Sequence, residues 1–365
     1  MPLSRLTALV AVALLAQRLR AQDTTSTPRR PSNDSAPQAP AVQINGLLQV
    51  WYLDGHTVTN PHDTYRIRRA DIKLSGVISS RVRWHISLDG AKVFNLNKTT
   101  TSSSADSSTL KDVSVDQRSR ILQEASIAVN VLPDLRVDVG QQIIPLSYEG
   151  VTAASQIETI ERTMFIAERA RGGGISDVRD IGAEGRGSLV NGFVDYQIGV
   201  FNEFGDSQNS TDQNDQKATI GRVAIHVPFL SALELGASGG TEGGSTQQRH
   251  ERAGGEAQFR NNWLTLRSEV MGARDASVRR LGYYGLGAIR PRSDVELVGR
   301  WDYWDPDLHN ETGPADAAER EIVGGASYFI ESGATRLAAN VVRSTFPSGK
   351  VPASTMLLLG LQVVW

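Results

Sequence analysis

The chain has 365 residues, with 38 Lys and Arg against 40 Asp and Glu, 34 Gly, 14 Pro and no Cys. The missing Cys removes disulfide scaffolds, thiolate metal sites, iron–sulfur clusters and Cys nucleophiles. Near-balanced charge excludes the strongly basic face that nucleic acid requires. A hydrophobic content of 40% is low for a bundle of membrane helices, but it leaves open a membrane β-barrel, in which only alternate strand residues face lipid.

Met1–Ala21 opens with Arg5, runs through the apolar Leu6–Ala16 and closes on Gln17-Arg18-Leu19-Arg20-Ala21. Its apolar stretch of about 11 residues is too short to span a bilayer as a helix, which takes about 20. The segment reads as an export signal cleaved after Ala21. Residues 22–41 carry almost no large apolar side chain and four prolines, at positions 28, 31, 37 and 40. Such a stretch cannot bury enough surface to offset its ordering entropy, so a disordered Pro/Ser/Thr-rich linker is expected.

From Val42 onward apolar residues recur at every second position, which is the β period. The pattern predicts sixteen strands: 42–54, 64–78, 80–90, 121–131, 134–142, 176–190, 192–203, 217–229, 232–240, 249–260, 262–272, 279–291, 293–303, 319–331, 334–344 and 354–365. These runs suit tilted strands crossing a bilayer, which need about 9–11 residues, whereas soluble strands average about 5–6. The connections alternate. Short ones fall at Ser79, Leu132-Pro133, Asn191, Leu230-Ser231, Asn261, Arg292 and Ser332-Gly333; long ones cover 55–63, 91–120, 143–175, 204–216, 241–248, 273–278, 304–318 and 345–353. Tight turns at one end and long loops at the other are expected of outer-membrane barrels.

The faces point the same way. Val82, Trp84, Ile86 and Leu88 oppose Arg81, Arg83, His85, Ser87 and Asp89; Val295, Leu297, Trp301 and Tyr303 oppose Glu296, Arg300 and Asp302. A second face this charged is too costly for a dry core, where each unpaired charge costs several kcal/mol. Lipid outside and water inside resolve the pattern. The expected fold is therefore all-β, a 16-stranded antiparallel transmembrane β-barrel over 42–365 in the cell outer membrane. The last strand places Leu357, Leu359, Leu361, Val363 and Trp365 on one face, a pattern resembling the C-terminal signal read by the outer-membrane assembly machinery, with Trp365 where Phe is usual.

The segments Gly46-Leu-Leu-Gln-Val-Trp-Tyr52, Tyr65-Arg-Ile-Arg-Arg-Ala-Asp-Ile-Lys-Leu-Ser-Gly76, Val139-Gly-Gln-Gln-Ile-Ile-Pro-Leu-Ser-Tyr-Glu149 and Tyr196-Gln-Ile-Gly-Val-Phe-Asn202 resemble the phosphate-selective porin O and P family. The resemblance runs from about residue 44 to Trp365. It implies a homotrimeric porin whose third outer loop folds into the lumen.

A wide barrel needs a constriction. The candidate is loop 143–175. Within it, Ile157–Ala170 has helical spacing of Ile157, Ile160, Met164 and Phe165, which predicts a short helix packed on the inner wall. Glu158, Glu161, Arg162, Glu168 and Arg169 would then face the permeation path, with Glu149 and Arg171 flanking them and Gly172–Gly174 as hinge. Pore-lining candidates on the inferred inner faces are Arg69, Lys73, Arg81, Arg83, Arg136, Arg186, Arg222, Arg267 and Arg300, with Arg252, Arg260 and Arg336 beside them. Glu124, Asp138, Asp180, Glu184, Glu234, Glu256, Glu269, Glu296 and Asp302 accompany them. Arginine suits oxyanions because its fork gives bidentate contacts, yet carboxylates are nearly as numerous.

The function expected is passive diffusion of small hydrophilic solutes or anions, phosphate among them, past a charged constriction. No chemistry, cofactor or metal is expected. The six His show no ligand spacing. Two rivals are a barrel-embedded hydrolase, for which His226 and Ser238 lie on neighbouring strands, and a secreted glycan-binding β-sandwich.

Overall fold

A computed structural model describes residues 42–365 apart from 56–62, 95, 105–106, 116–120, 167–173, 206–207, 211, 213–215, 228–229, 244–248, 310–317 and 350. The expected export signal, the linker and the constriction candidates Glu168, Arg169 and Arg171 lie outside the described residues. The strands are β1 (Val42–Gly55), β2 (Thr64–Val77), β3 (Val82–Asp89), β4 (Leu96–Ser104), β5 (Ser107–Val115), β6 (Leu122–Leu132), β7 (Leu135–Ile143), β8 (Arg179–Leu189) and β9 (Val194–Phe201). They continue as β10 (Ala218–His226), β11 (Leu233–Glu242), β12 (His250–Arg260), β13 (Leu264–Asp275), β14 (Val278–Arg292), β15 (Val295–Asp305), β16 (Glu319–Ile330), β17 (Thr335–Thr345) and β18 (Ser354–Val364). All but β4 and β5 form one closed antiparallel barrel of sixteen strands, each paired with its sequence neighbour.

Closure is made by β1 against β18, with Leu47 opposite Val364. Gly46 N donates to Trp365 O at 2.9 Å and Trp365 N donates back to Gly46 O at 3.2 Å, so the final residue is part of the seam. The Trp365 ring lies where a side chain at position 46 would stand, which only glycine permits. Closure leaves the ring without an edge strand.

The period-two reading holds on both faces. Along β15, Glu296, Val298, Arg300, Asp302 and Trp304 are buried, while Leu297 and Trp301 are 43% and 40% exposed. The covered face is thus the charged one and the open face the greasy one. Ile127 and Val139 stand opposite each other on the open face, as do Ile322 and Trp301. Apolar surface on this scale is stable against acyl chains rather than water.

The structure departs from the sequence expectation in three places. Residues 91–120, expected as loop, contain β4 and β5, which pair as a separate two-stranded sheet. Their Thr- and Ser-rich sequence has strand propensity but no alternating apolar face to reveal it. The connection expected over 273–278 is only the two residues 276–277, because β13 and β14 pair out to Asp275 and Val278. The third departure is the expected helix at Ile157–Ala170. Among the described residues the only α-helix of this segment is α1 (Tyr148–Val151), followed by a 3-10 turn at Ala154–Gln156; residues 157–166 are not helical.

Candidate functional site

The segment between β7 and β8 is built from the Val139–Glu149 motif. Gly140 has φ +134°, and a Cβ there would strike the Ala125 carbonyl of β6. Gln141 Nε2 donates to Leu122 O at 2.8 Å and to Asn209 Oδ1 at 2.7 Å, tying β7 to a neighbouring connection. Pro145 has no N–H, so backbone pairing with the β8 side ends at Ile144, whose N donates to Val178 O at 3.0 Å. Ser147 then caps α1, its Oγ accepting from Gly150 N at 2.9 Å.

Beyond α1 the chain lies against inward-facing side chains of several strands. Arg267 of β13 donates to both Glu158 carboxylate oxygens, Nη1 to Oε2 and Nη2 to Oε1, each at 2.9 Å. The two side chains are 0% and 3% exposed. Arg260 of β12 also pairs with Glu158, and the Arg267 guanidinium sits 4.5 Å from the Tyr148 ring centroid. Burial alone would raise the Glu158 pKa; Arg267 and Arg260 outweigh it and hold the carboxyl below its ordinary value.

Main-chain carbonyls of the segment are held in the same way. Arg336 of β17 donates to Ile157 O at 2.5 Å and to Glu158 O. Arg300 of β15 donates to Glu161 O at 2.9 Å, Arg162 O at 3.0 Å and Thr159 Oγ1 at 2.8 Å. Asp302 accepts from Thr163 Oγ1 at 2.7 Å, and Asn340 Oδ1 accepts from Ile160 N at 2.7 Å. In a helix the carbonyls of 157, 158, 161 and 162 would accept from N–H groups four residues on. Here wall guanidinium groups take them, which is why the helical spacing does not produce a helix.

Ile157, Met164 and Phe165 of the expected stripe are nonetheless buried, and Ile160 is partly so. Met164, Phe165 and Ile166 join Phe201, Ile220, Met271, Tyr284 and Trp304 of the wall in one cluster. Ile160 packs on Val323, Val342 and Leu358 in a second. The inward faces of β13–β18 are therefore largely covered, as are Phe201 of β9 and Ile220 of β10.

The opposite arc of wall stays open. A cavity of ≈ 350 Å³ is bounded by β1–β3, β6 and residues 151–155. Its charged groups are four cations, Arg69, Lys73, Arg162 and Arg179, and four carboxylates, Asp71, Asp89, Glu124 and Asp177. A second cavity of ≈ 580 Å³ lies at the short-turn end and is bordered by Arg136, Arg186 and Arg222. Both cavities include Ile143 and Val151 in their walls, so they meet at that apolar pair.

The expected residues fall into three groups. Arg69, Lys73, Arg136, Arg186 and Arg222 border the cavities. Arg81 and Arg83 are exposed near the β2–β3 turn. Arg267 and Arg300 are buried beneath the segment and hold it, which corrects their expected position on the water path. Among the constriction candidates Glu149 and Glu158 are buried, with Glu149 Oε1 accepting from Thr163 N at 2.7 Å. Glu161 faces Arg68 at 3.5 Å, and Arg162 pairs with Asp177 at 3.4 Å while bordering the first cavity. Beside Arg162 and Asp177, the residues of the segment that border this cavity are the uncharged Val151–Ser155. Sequence reasoning missed Arg68, which lies 5.3 Å from the Trp51 ring centroid, together with Asp177, Arg179, Asn340 and Gln362. For Asn340 a signal existed, as a polar residue at the same inward phase of β17 as Arg336.

Much of the inward charge is paired. Arg222 donates to Glu256 at 2.7 Å and to Glu234 at 3.2 Å. Arg136 and Arg186, directly opposite across β7–β8, share Asp138 at 2.8 and 2.9 Å. Such like charges repel unless a carboxylate lies between them. His226 pairs with Asp195 at 2.8 Å, and its cross-strand partner Glu234 is four residues from Ser238, about 13 Å along a strand. Ser238 instead accepts from Ser147 N at 2.9 Å, so the two hydrolase candidates do not meet.

Solved structures share this fold. An anion-selective porin from Comamonas acidovorans superposes with TM-score 0.60 at 11% identity, covering 90% of this chain and 100% of that one. The outer-membrane channel DcaP of Acinetobacter baumannii gives 0.59 at 10%, covering 89% and 97%. OmpT of Vibrio cholerae in a trimer form gives 0.55 at 10%, covering 90% and 100%. No curated protein sequence matches the chain. The family model for phosphate-selective porin O and P matches residues 42–285, from the closing strand through the anchored segment and into β14. The chain belongs to that family, and it is an outer-membrane porin.

Proposed function

We propose that this porin passes small hydrophilic solutes by passive diffusion through the open arc between residues 151–155 and the wall of β1–β3 and β6–β10. The observation that carries this reading is the pair of cavities meeting at Ile143 and Val151 while the inward faces of β13–β18 are covered. The connection between β7 and β8 acts as the constriction. Its charges serve to hold it, and the charge that solutes meet belongs mainly to the wall. A narrow, charged and water-filled passage discriminates by size and by field. Met1–Ala21 serves as export signal, Trp365 as part of the assembly signal, and the working unit is a trimer.

Planar-bilayer conductance of the refolded protein tests the reading. Step-like currents are expected, and reversal potentials in KCl and then phosphate give the ion preference. Silence of correctly folded protein would refute the porin mechanism.

A further inference from the structure

Three successive inward positions of β2 border the first cavity: Arg69, Asp71 and Lys73. They alternate in sign and lie about 7 Å apart along the strand. Asp71 stands opposite Asp89 across β2–β3, and Lys73 stands opposite the neutral Ser87. Asp89 is engaged, its Oδ1 accepting from Ala70 N at 3.1 Å and Ala91 N at 3.0 Å. Asp71 and Lys73 make no side-chain hydrogen bond to another described residue. The facing lip, Val151–Ser155, adds no charge of its own.

A doubly charged anion drawn to Lys73 remains about 7 Å from Asp71, so its doubled attraction to the cations is offset by an equally doubled repulsion from the carboxylate between them. A solute carrying both signs a few bonds apart can place its carboxylate toward Lys73 or Arg69 and its ammonium toward Asp71. The stronger anion attractors are quenched elsewhere. Arg267 is taken by Glu158, Arg300 by Asp302, and Arg179 lies between Asp177 and Glu124.

We propose that the passage favours zwitterionic solutes, amino acids in particular, over doubly charged anions such as phosphate. The inference rests on the porin reading above and names its substrate class.

The test is flux through proteoliposomes carrying the refolded protein, with glycerol as neutral reference. Alanine flux should exceed phosphate flux about tenfold at neutral pH. Asp71→Asn leaves Arg69 and Lys73 in place, so it should bring phosphate within about twofold of alanine and raise the chloride-over-potassium permeability ratio about fivefold. Lys73→Gln should shift the same ratio toward potassium and lower alanine flux. Glycerol flux with phosphate equal to or above alanine overturns the inference and leaves the porin reading standing, as does an Asp71→Asn channel with unmoved selectivity. Absence of all flux, glycerol included, removes both.

Discussion

Replacing Glu158 by Gln isolates the strongest single anchor of the segment. The substitution keeps the shape and removes the charge facing Arg267, whose side chain is 0% exposed and donates twice to that carboxylate at 2.9 Å. Stripping one partner from a buried pair costs about 3–5 kcal/mol, because the remaining charge stays buried without its counter-ion. The nearby Arg260 adds to the uncompensated charge. Arg300, Asp302 and Asn340 still hold residues 159–163, so the cost falls on docking of the segment rather than on the barrel. A loss of about 3 kcal/mol raises the detached population about 10²-fold, at 1.4 kcal/mol per factor of ten. Single-channel recording should then show frequent excursions to a second conductance level that are rare in the parent. Glu158→Leu combined with Arg267→Met removes both charges and should restore much of the quiet baseline. A folded Glu158→Gln channel as quiet as the parent would refute the anchoring argument, as would a double variant no better than the single one.

Further predictions follow from the same geometry. Glu158 has a lowered pKa when docked, so docking is fully supported above its undocked value of about 4.3 and is lost as pH falls through the lower docked value. Lowering the pH from 7 to 5 should therefore leave the Glu158-dependent gating unchanged, with its onset only below the ordinary carboxylate range; an onset near pH 6 that Glu158→Gln abolishes would contradict this. Gly140→Ala should sharply lower refolding yield in detergent, since its φ is +134° and the new Cβ meets the Ala125 carbonyl, whereas Gly299→Ala enters open space and should refold like the parent. Val270→Arg places a cation on the open face in the middle of β13 and should cost about 2–4 kcal/mol in urea unfolding from lipid vesicles. A neutral outcome there would argue that this face does not meet acyl chains.

The barrel was legible because lipid outside and charge within imprint the same period-two signal on every strand, and closure needs nothing beyond neighbour pairing. The segment over 157–166 was not legible, because its conformation is decided by groups more than a hundred residues away. Ile157, Met164 and Phe165 are buried and Ile160 partly so, as their spacing suggests, but the spacing could not show that Arg267, Arg300 and Arg336 compete for the backbone. The same cause misplaced Glu158, whose charge reads as solvent-facing until its distant partner is known. Arg69 and Lys73 border the first cavity because an inward position is a local property of β2, while the contribution of Arg179 depends on its ion pairs with Glu124 of β6 and with Asp177.

The ring is uneven in what surrounds its backbone. Strands β13–β18 have the packed segment on one side and the apolar belt on the other, whereas much of β2, β3 and β6–β8 borders open cavity. The wall thus behaves as two materials joined at their edges, one sealed on both surfaces and one wetted on its concave surface. Amide protons in the first arc can reach solvent only when the plug lifts, so they should exchange in step with one another and report plug detachment, while those of the second arc exchange through local fraying alone.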